Sequence, residues 1–476
     1  MLDQALIGLF IAFFTFLTWR KLDLGLFFIF LLLPSYLIRF KFAGLPSTLL
    51  EIMIWVVFIT WVIKTYKPQH QSRARCGAQH LNIQTYKQFI SYLLSPITTL
   101  ISQIKKYPSL FLAITLFLSA ATISIFTSID TRAALGEWKA FYIEPVLLFI
   151  ILISLPLSGG QGGSLVEKIL FALVLCGLAT SLLAIYQHFT GWMVPWKFWE
   201  NGNTFRVTGW YGFPNGVGLF LAPIIPLALY LIKNKIFVIA RSLKTTSQSQ
   251  ERQDYYAWFI LTSCSLFLLS SPLAIFFAKS TGGLVGVVAG IGLLLIFWKK
   301  TRWPAIILGL ASFVSILSLN SLSPIKQELL MQDRSGQIRL NMWAETTEFL
   351  SDNPIAGAGL ASYKTLIYPY RIDKWIEVFH HPHNIFLTMW VNLGLLGLFG
   401  FTWVVVWFFR VGIMEAVRHK TKEISLTVFL LASMTVIITT GLVDSPYIKN
   451  DLAVLFWLLP ALMITDSGQN QKNQLE

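Results

Sequence analysis

The sequence predicts an all-α polytopic membrane protein with about 12 to 13 transmembrane helices and one large extracytoplasmic loop. Of the 476 residues, 55% are hydrophobic and only 13% are charged, and the mean hydropathy is +0.64. Soluble domains carry about 25% charged residues. Apolar runs of about 15 to 25 residues recur along the whole chain, and a helix of that length crosses a bilayer.

The apolar runs place the predicted spans in order along the chain. Their bounds are near 5–19, 24–38, 47–63, 109–128, 142–157, 165–186, 216–232, 257–278, 282–298, 303–320, 384–409, 424–442 and 452–465. Trp19, Tyr186 and Trp298 lie at span ends, which is typical of the membrane interface. The first run has no basic region before it and precedes further spans, so we interpret it as a retained helix.

The distribution of basic residues predicts the orientation. One set of alternate loops holds 23 of the 37 Lys and Arg residues, and the positive-inside rule assigns that set to the cytoplasm. The loops with Arg206, Arg339 and His383 then face outward. Basic loops beside anionic membrane lipids explain the net charge of +14, so we expect no nucleic-acid partner.

These spans divide the chain into six expected regions. They are N-terminal transmembrane helices (1–63), a basic cytoplasmic amphipathic segment (64–108), a transmembrane core with the Arg206 loop (109–320), a large periplasmic loop (321–383), C-terminal transmembrane helices (384–465) and a cytoplasmic tail (466–476). Segment 64–108 has no acidic residue. From Tyr86 to Ile104 its apolar residues recur at helical spacing, which favours a helix on the inner membrane surface over a flexible basic linker.

The sequence contains no motif for cysteine-based or nucleotide-based chemistry. Cys76, Cys176 and Cys264 form no disulfide framework and no CxxC metal pair. The sequence also has no phosphate loop, no GxGxxG and no HExxH motif. We therefore expect no cofactor.

The first candidate loop runs from His188 to Asn215. Arg206 precedes a turn rich in Gly and aromatic residues, and Glu200 is the only nearby acid. The planar guanidinium pairs well with phosphate oxygens, and interfacial snorkelling is the alternative. Asn215 follows Pro214 at the start of the next span, where both are ordinary helix-start residues.

The second candidate loop covers about 60 residues, far longer than most connections. It contains a predicted helix, near 335–350, that must end before an Asn-Pro pair. Arg339 and Trp343 are four residues apart and so share one face of that helix. Arg339 either contacts a ligand or forms a salt bridge with Glu345 or Asp333.

A polar His383-Asn384 pair lies where a long apolar run begins, in HPHNIFLTMWVNLGLLG. A neutral imidazole near pH 7 can take a proton from an attacking hydroxyl, and a polar helix cap is the alternative. His383 could bind a metal together with His380, His381 and Glu377. However, the order H-H-P-H does not give the i,i+4 spacing of ligands on a helix, so we expect no metal. A His and an Arg on one outward loop suggest a site for an anionic lipid-linked substrate.

Three motifs resemble the O-antigen ligase and O-antigen polymerase superfamily. The His-Asn pair is followed after nine residues by Gly, two residues and Gly, ending at Gly397. Arg339-x-x-x-Trp343 and the following NPIAGAG resemble the Arg-x-x-x-Trp and Pro-x-x-Gly-x-Gly segments of that family. Arg206 with Asn215 resembles its earlier Arg-to-Asn motif. The resemblance covers about residues 200 to 410, and the turn VDSPYIKND between the last two spans is consistent with it.

The resemblance implies a metal-independent, inverting glycosyl transfer at the outer face of the bacterial cytoplasmic membrane. The donor is a glycan on undecaprenyl diphosphate, and the acceptor is a sugar hydroxyl on a lipid-linked core or a growing glycan. Arg206 and Arg339 then hold the diphosphate, and His383 deprotonates or positions the acceptor hydroxyl. The expected substrate-binding residues are Asn384, Asn215, Trp343 and Lys279.

The chain departs from the family at one motif and leaves two other functions open. Many members have Ser-Arg-Gly at the start of a mid-chain span, where this chain has Lys279 followed by Ser-Thr-Gly. Lys279 is therefore expected to be only a weak anion contact. An anion transporter, of the bicarbonate type, is one alternative, but the candidate site lies on a loop and not at the bilayer midplane. A scaffold protein is the other, and it leaves the loop motifs unexplained.

Overall fold

The computed structural model describes residues 4–42, 45–66, 95–155, 164–194, 205–242, 248–418 and 425–472. In these residues the chain is almost wholly helical, and one antiparallel hairpin of Arg39–Phe42 and Leu45–Thr48 is its only sheet. The all-α class is confirmed, with a hairpin that the sequence analysis missed. Cys76, Glu200 and most of segment 64–108 lie outside the described residues, although helix Ser95–Lys106 ends that segment.

The helices follow the predicted spans in order. Their bounds are α1 Gln4–Arg20, α2 Leu22–Leu31, α3 Leu49–Tyr66, α4 Ser95–Lys106, α5 Pro108–Phe126, α6 Thr131–Glu137, α7 Glu144–Ser154, α8 Leu165–Thr190, α9 Asn215–Leu221, α10 Ile224–Ser242, α11 Gln248–Phe277, α12 Thr281–Phe297, α13 Arg302–Ser318, α14 Ser323–Leu329, α15 Arg334–Asp352, α16 Tyr363–Leu366, α17 Ile385–Arg418, α18 Leu426–Gly441 and α19 Asn450–Lys472. A π-helical turn, Trp138–Ile143, joins α6 to α7, and short 3-10 turns occupy Leu33–Leu37, Asn320–Leu322 and Tyr368–Tyr370.

Five helical segments in the described ranges are long and apolar enough to cross a membrane. They are α5, α8, Asn215–Ile239 (α9 with most of α10), Tyr255–Phe277 of α11, and α17. A sixth candidate consists of α13 and the segment Asn320–Asp352, which meet at a bend of 91°. Helices α1, α2, α12 and α18 are apolar but shorter. The chain is an integral membrane protein, and the count of about 12 to 13 spans stays a prediction.

Two close helix pairs frame the region around the candidate loops. Helix α17 packs along α5, where a Cβ at Gly400 would lie 2.8 Å from the backbone nitrogen of Phe117. Helix α12 packs along α18, where a Cβ at Gly290 would lie 2.9 Å from the carbonyl oxygen of Ala432. Small residues allow membrane helices to approach this closely.

Helix α17 is interrupted at Gly394, and the large loop packs into the interruption. Gly394 has φ +69° and ψ −175°, and a Cβ there would overlap the carbonyl oxygen of Ile355. The Leu395 amide donates to that oxygen at 3.0 Å, and the Ala358 amide donates to the Val391 carbonyl at 2.6 Å. The glycine motifs therefore attach the loop to the helix that follows His383.

Gly394→Ala is expected to destabilise the protein by about 2 kcal/mol or more, because Ala has to adopt a left-handed φ and its Cβ meets a carbonyl oxygen. The melting temperature of the detergent-solubilised protein should fall by about 2 °C or more. Gly292→Ala is the matched control, since nothing lies within 4 Å of a Cβ at that helical position. Equal melting temperatures for the two variants would contradict this account of the kink.

Candidate active site

Asp444 is a buried carboxylate at the centre of the candidate site, on the turn between α18 and α19. Its Oδ1 accepts from the Ser445 amide at 2.8 Å and lies 3.0 Å from Nδ1 of His383. The same turn is anchored by Tyr447, whose hydroxyl donates to the Phe141 carbonyl at 2.9 Å. Only 6% of the Asp444 side chain is exposed. Its position is thus fixed by the surrounding helices.

His383 immediately precedes the N-cap of α17, in a conformation that few side chains adopt. Its φ is +48°, in the left-handed region where His, Asn and Asp are enriched among non-glycine residues. The rings of Phe379 and His381 contact its ring edge-on, with centroids 4.9 and 4.8 Å away. The side chain is 18% exposed, so the imidazole is packed on its sides and still accessible.

A chain of hydrogen bonds joins Arg206 to His383 through Asn215 and Asp444. Arg206 Nη2 donates to Asn215 Oδ1 at 2.8 Å, and Asn215 Nδ2 donates to Asp444 Oδ2 at 2.7 Å. Arg206 also donates to the carbonyls of Ala278 (2.8 Å) and Lys279 (2.9 Å). The structure therefore brings together the two candidate loops that the sequence analysis had treated separately.

Helix α15 presents Arg339 and Trp343 toward the same centre, as their spacing predicts. Arg339 Nε donates to the Val443 carbonyl at 2.9 Å, next to Asp444, and its Nη1 donates to Ser335 Oγ at 2.7 Å. Trp343 Nε1 donates to the Pro382 carbonyl at 2.9 Å, next to His383. The two side chains of one helix face thus bind the backbone carbonyls that immediately precede Asp444 and His383.

The alternative salt bridges of Arg339 are not formed. Asp333 caps the N-terminus of α15 by accepting from the amides of Ser335 and Gly336. Glu345 Oε1 accepts instead from the Ile372 amide at 2.8 Å. Among the described residues, no ion pair involves Arg339, and its hydrogen-bond partners are neutral oxygens.

Two residues that were expected to contact the substrate, Asn384 and Lys279, form hydrogen bonds within the protein. Asn384 caps α17, because its Oδ1 accepts from the amides of Phe386 and Leu387 at 3.0 and 3.1 Å, and its Nδ2 donates to the Leu442 carbonyl at 3.1 Å. Lys279 has φ +49° and an exposed side chain, and its carbonyl binds Arg206. These contacts give both residues a positioning role, and their contact with substrate stays a prediction.

Two charged groups in this series of hydrogen bonds, Asp444 and Arg206, have shifted pKa values. Burial alone would raise the pKa of Asp444, but the neighbouring His383 and the hydrogen bonds that the carboxylate accepts hold it well below its usual range. Burial and then the positive charge of Arg339 lower the pKa of Arg206 to about 10. Asp444 is therefore ionised and Arg206 protonated near neutral pH.

The three histidines do not share one environment. His380 is exposed, whereas burial and the neighbouring His383 lower the pKa of His381 to about 3. One ligand atom from each of His381, His383 and Asp444 lies within 4.8 Å of the other two. The carboxylate in this set is Asp444 and not Glu377, which the sequence analysis had considered.

A model of the family described as O-Antigen ligase matches residues 265–402 of this chain. A protein of Rickettsia prowazekii (strain Madrid E) named "Putative polysaccharide ligase" is 31% identical over 148 residues, covering 29% of this chain and 36% of the relative. Residues 265–402 thus resemble the O-antigen ligase family. A Rickettsia conorii (strain ATCC VR-613 / Malish 7) protein of the same description is 27% identical over 171 residues, covering 35% of this chain and 41% of the relative. The chain thus spans well under half the length of these relatives.

The O-antigen ligase segment 265–402 contains Arg339, His383 and the glycines of the α17 interruption, but not the whole candidate site. Arg206 and Asn215 precede it, and Asp444 follows it. Sequence reasoning had noted the turn of Asp444 without singling out its carboxylate. The available signal was an acidic residue between two apolar helices, since ionisable groups at membrane helices are usually paired and functional.

Asp444→Asn is expected to abolish most function while leaving the fold intact. An amide offers one acceptor where the carboxylate serves His383 and Asn215 at once, so His383 loses the partner that fixes its tautomer. The analogous change in a protease triad costs about 10⁴ in rate. Restoration of surface polysaccharide in a deletion strain, at matched protein levels, is the measurement. The exposed Asp352→Asn is the control, and full restoration by Asp444→Asn would contradict the assignment.

Proposed function

We propose that the protein transfers a glycan from undecaprenyl diphosphate to a sugar hydroxyl at the outer face of the cytoplasmic membrane. The acceptor is a lipid-linked core, as for a ligase, or another growing glycan, as for a polymerase. One observation carries the proposal: hydrogen bonds of 2.7 to 3.0 Å connect a cationic group, Arg206, to a titratable base, His383. The similarity of residues 265–402 to the O-antigen ligase family and the names of the relatives support the same reaction class.

The cationic half of the site, formed by Arg206 and Arg339, suits a diphosphate leaving group. Arg206 and Arg339 are close enough for the charge of one to lower the pKa of the other, and a polyanion between two guanidiniums relieves that repulsion. Guanidinium forks bind phosphate oxygens through paired, charge-assisted hydrogen bonds. Two such groups supply positive charge as the glycosyl–phosphate bond breaks, so the proposed transfer needs no divalent metal.

The other half of the site, formed by His383 and Asp444, suits activation of an acceptor hydroxyl by a general base. An ionised Asp444 only accepts hydrogen bonds, so the Nδ1 of a neutral His383 carries the proton and its Nε2 keeps a free lone pair. In the proposed step, the acceptor oxygen forms a bond to the anomeric carbon while the carbon–oxygen bond to the diphosphate breaks. The hydroxyl proton passes to Nε2, and the diphosphate leaves on the opposite face, which inverts the anomeric centre.

The proposed orientation has support from ion pairs that join loops assigned to the same side. Lys168 and Asp23 lie 3.4 Å apart, and Lys235 and Glu167 lie 2.7 Å apart, all on loops or helix ends predicted to be cytoplasmic. The six expected regions follow from this orientation. They place Arg206, Arg339, His383 and Asp444 on the outer side, where a flipped lipid-linked donor is available.

His383→Asn is expected to lower the transfer rate by about 10² to 10⁴, the usual contribution of a general base. Asn tolerates the left-handed φ of this position and can still donate to Asp444, whereas Ala adds a strain of about 1–2 kcal/mol. Transfer is measured with purified protein and a lipid-linked donor. His380→Asn, on the exposed neighbour, should retain activity. Wild-type rates from His383→Asn would refute the role of the imidazole as a base.

Arg206→Lys and Arg339→Lys are expected to weaken inhibition by inorganic diphosphate, an analogue of the leaving group's head, by about tenfold or more, because Lys keeps the charge but loses the fork. The measurement is the inhibition constant of diphosphate in the transfer assay. Arg371→Lys is the matched control, since Arg371 also donates to loop carbonyls, those of Asp373 and Ile376. If all three variants bind diphosphate like the wild type, the cationic half has no anion-binding role.

A cysteine at Trp375 is expected to react with a membrane-impermeant thiol reagent in intact spheroplasts, because the loop faces outward. Trp375 is 98% exposed, whereas Ser362 on the same loop is buried. Trp375→Cys is built on a Cys76→Ser background, and Lys300→Cys, on a loop predicted to be cytoplasmic, is the control. Labelling of Trp375→Cys only after lysis, with Lys300→Cys labelled before it, would invert the topology.

A further inference from the structure

The cluster of His381, His383 and Asp444 contains one polar atom that the proposed reaction does not use. Nδ1 of His381 is buried and has no hydrogen-bond partner among the described residues. Its ring lies edge-on to that of His383, with the centroids 4.8 Å apart. A buried nitrogen without a partner is rare in proteins, and ligand binding is one of its few explanations. One ring nitrogen of His381 lies within 4.8 Å of a ring nitrogen of His383 and of a carboxylate oxygen of Asp444.

We propose that these three side chains form an inhibitory binding site for Zn²⁺. The inference rests on the proposed function, because the site includes the base of that reaction. Zn²⁺ binds nitrogen and oxygen at about 2.0–2.1 Å in tetrahedral geometry, which places two ligand atoms about 3.3 Å apart. His383 Nδ1 and Asp444 Oδ1 are 3.0 Å apart, and all three ligand atoms lie within 4.8 Å. Side-chain rotations that shorten the longest of these separations by up to about 1.5 Å complete the set.

Metal binding at His383 removes the base whichever ring nitrogen coordinates. If Nε2 binds the ion, the lone pair that accepts the hydroxyl proton is occupied. If Nδ1 binds the ion, the proton of the neutral ring moves to Nε2, which then only donates. The ion also takes the Asp444 oxygen that orients the ring. Zn²⁺ binding and transfer are therefore mutually exclusive.

The ligand types select Zn²⁺ over the abundant hard cations. Two imidazoles and one carboxylate suit zinc and its neighbours in the first transition row. Mg²⁺ requires near-octahedral oxygen coordination and Ca²⁺ takes six to eight oxygens, so a set with two nitrogens disfavours both. Inhibition should thus occur with micromolar Zn²⁺ and not with millimolar Mg²⁺.

The test measures binding and transfer separately on the full-length, EDTA-treated protein in nanodiscs. Isothermal titration with ZnCl₂ should give one equivalent bound to the wild type, and transfer should fall as that site fills and recover on addition of EDTA. His381→Gln should bind Zn²⁺ about 10- to 100-fold more weakly, with its inhibition curve, normalised to its own metal-free rate, shifted equally. His380→Gln is the matched control and should retain the wild-type curve.

Each of the other possible results would contradict one specific part of the proposal. Absence of a one-equivalent site in the wild type, or equal Zn²⁺ affinity in wild type and His381→Gln, overturns the metal site. Zn²⁺ binding that leaves transfer unchanged overturns its inhibitory role. Loss of transfer on EDTA treatment with rescue by Zn²⁺ overturns both inhibition and the metal-free mechanism. If no transfer occurs under any condition, the proposed function fails, while the titration still decides whether the site exists.

Discussion

The buried carboxylate of Asp444 is the constraint on which the rest of the candidate site depends. Removing a carboxylate from water costs several kcal/mol unless hydrogen bonds compensate it. Here three donors do so: the Ser445 amide, Asn215 Nδ2 and the ring of His383. Each bond to a charged group contributes about 1.5–3 kcal/mol, which roughly offsets the cost of burial. The same bonds fix the position of the base and connect it to the loop that carries Arg206.

Close backbone contacts at two glycines help to connect the large loop to this centre. Gly394 interrupts α17 and makes room for the carbonyl of Ile355, while a Cβ at Gly357 would lie 2.5 Å from the carbonyl oxygen of Val391. The loop is therefore attached ten residues along the helix that begins after His383. Because Arg339 and Trp343 belong to the same loop, the glycine contacts also set where those two side chains lie relative to the base.

The sequence predicted local structure well and long-range pairing poorly. Helical spacing placed Arg339 and Trp343 on one face of a helix near 335–350, and the structure has that helix at Arg334–Asp352. Asp444 was missed because its partners are 61 and 229 residues away, and neither spacing leaves a periodic signal. The hairpin at residues 39–48 was missed because it is a short connection between apolar runs, and length and hydropathy do not specify its pairing.

Asn215 explains how opposite charges are kept close without cancelling each other. It accepts from Arg206 and donates to Asp444, so a neutral amide separates the guanidinium from the carboxylate. A direct ion pair would cancel much of the positive charge that Arg206 offers to the proposed diphosphate. In the proposed step, positive charge develops on the imidazole beside Asp444, and negative charge develops on the departing diphosphate beside Arg206. Because both fixed charges are already oriented, little reorganisation is needed when the bond breaks. That requirement accounts for a bridging amide at position 215 in place of a second charged residue.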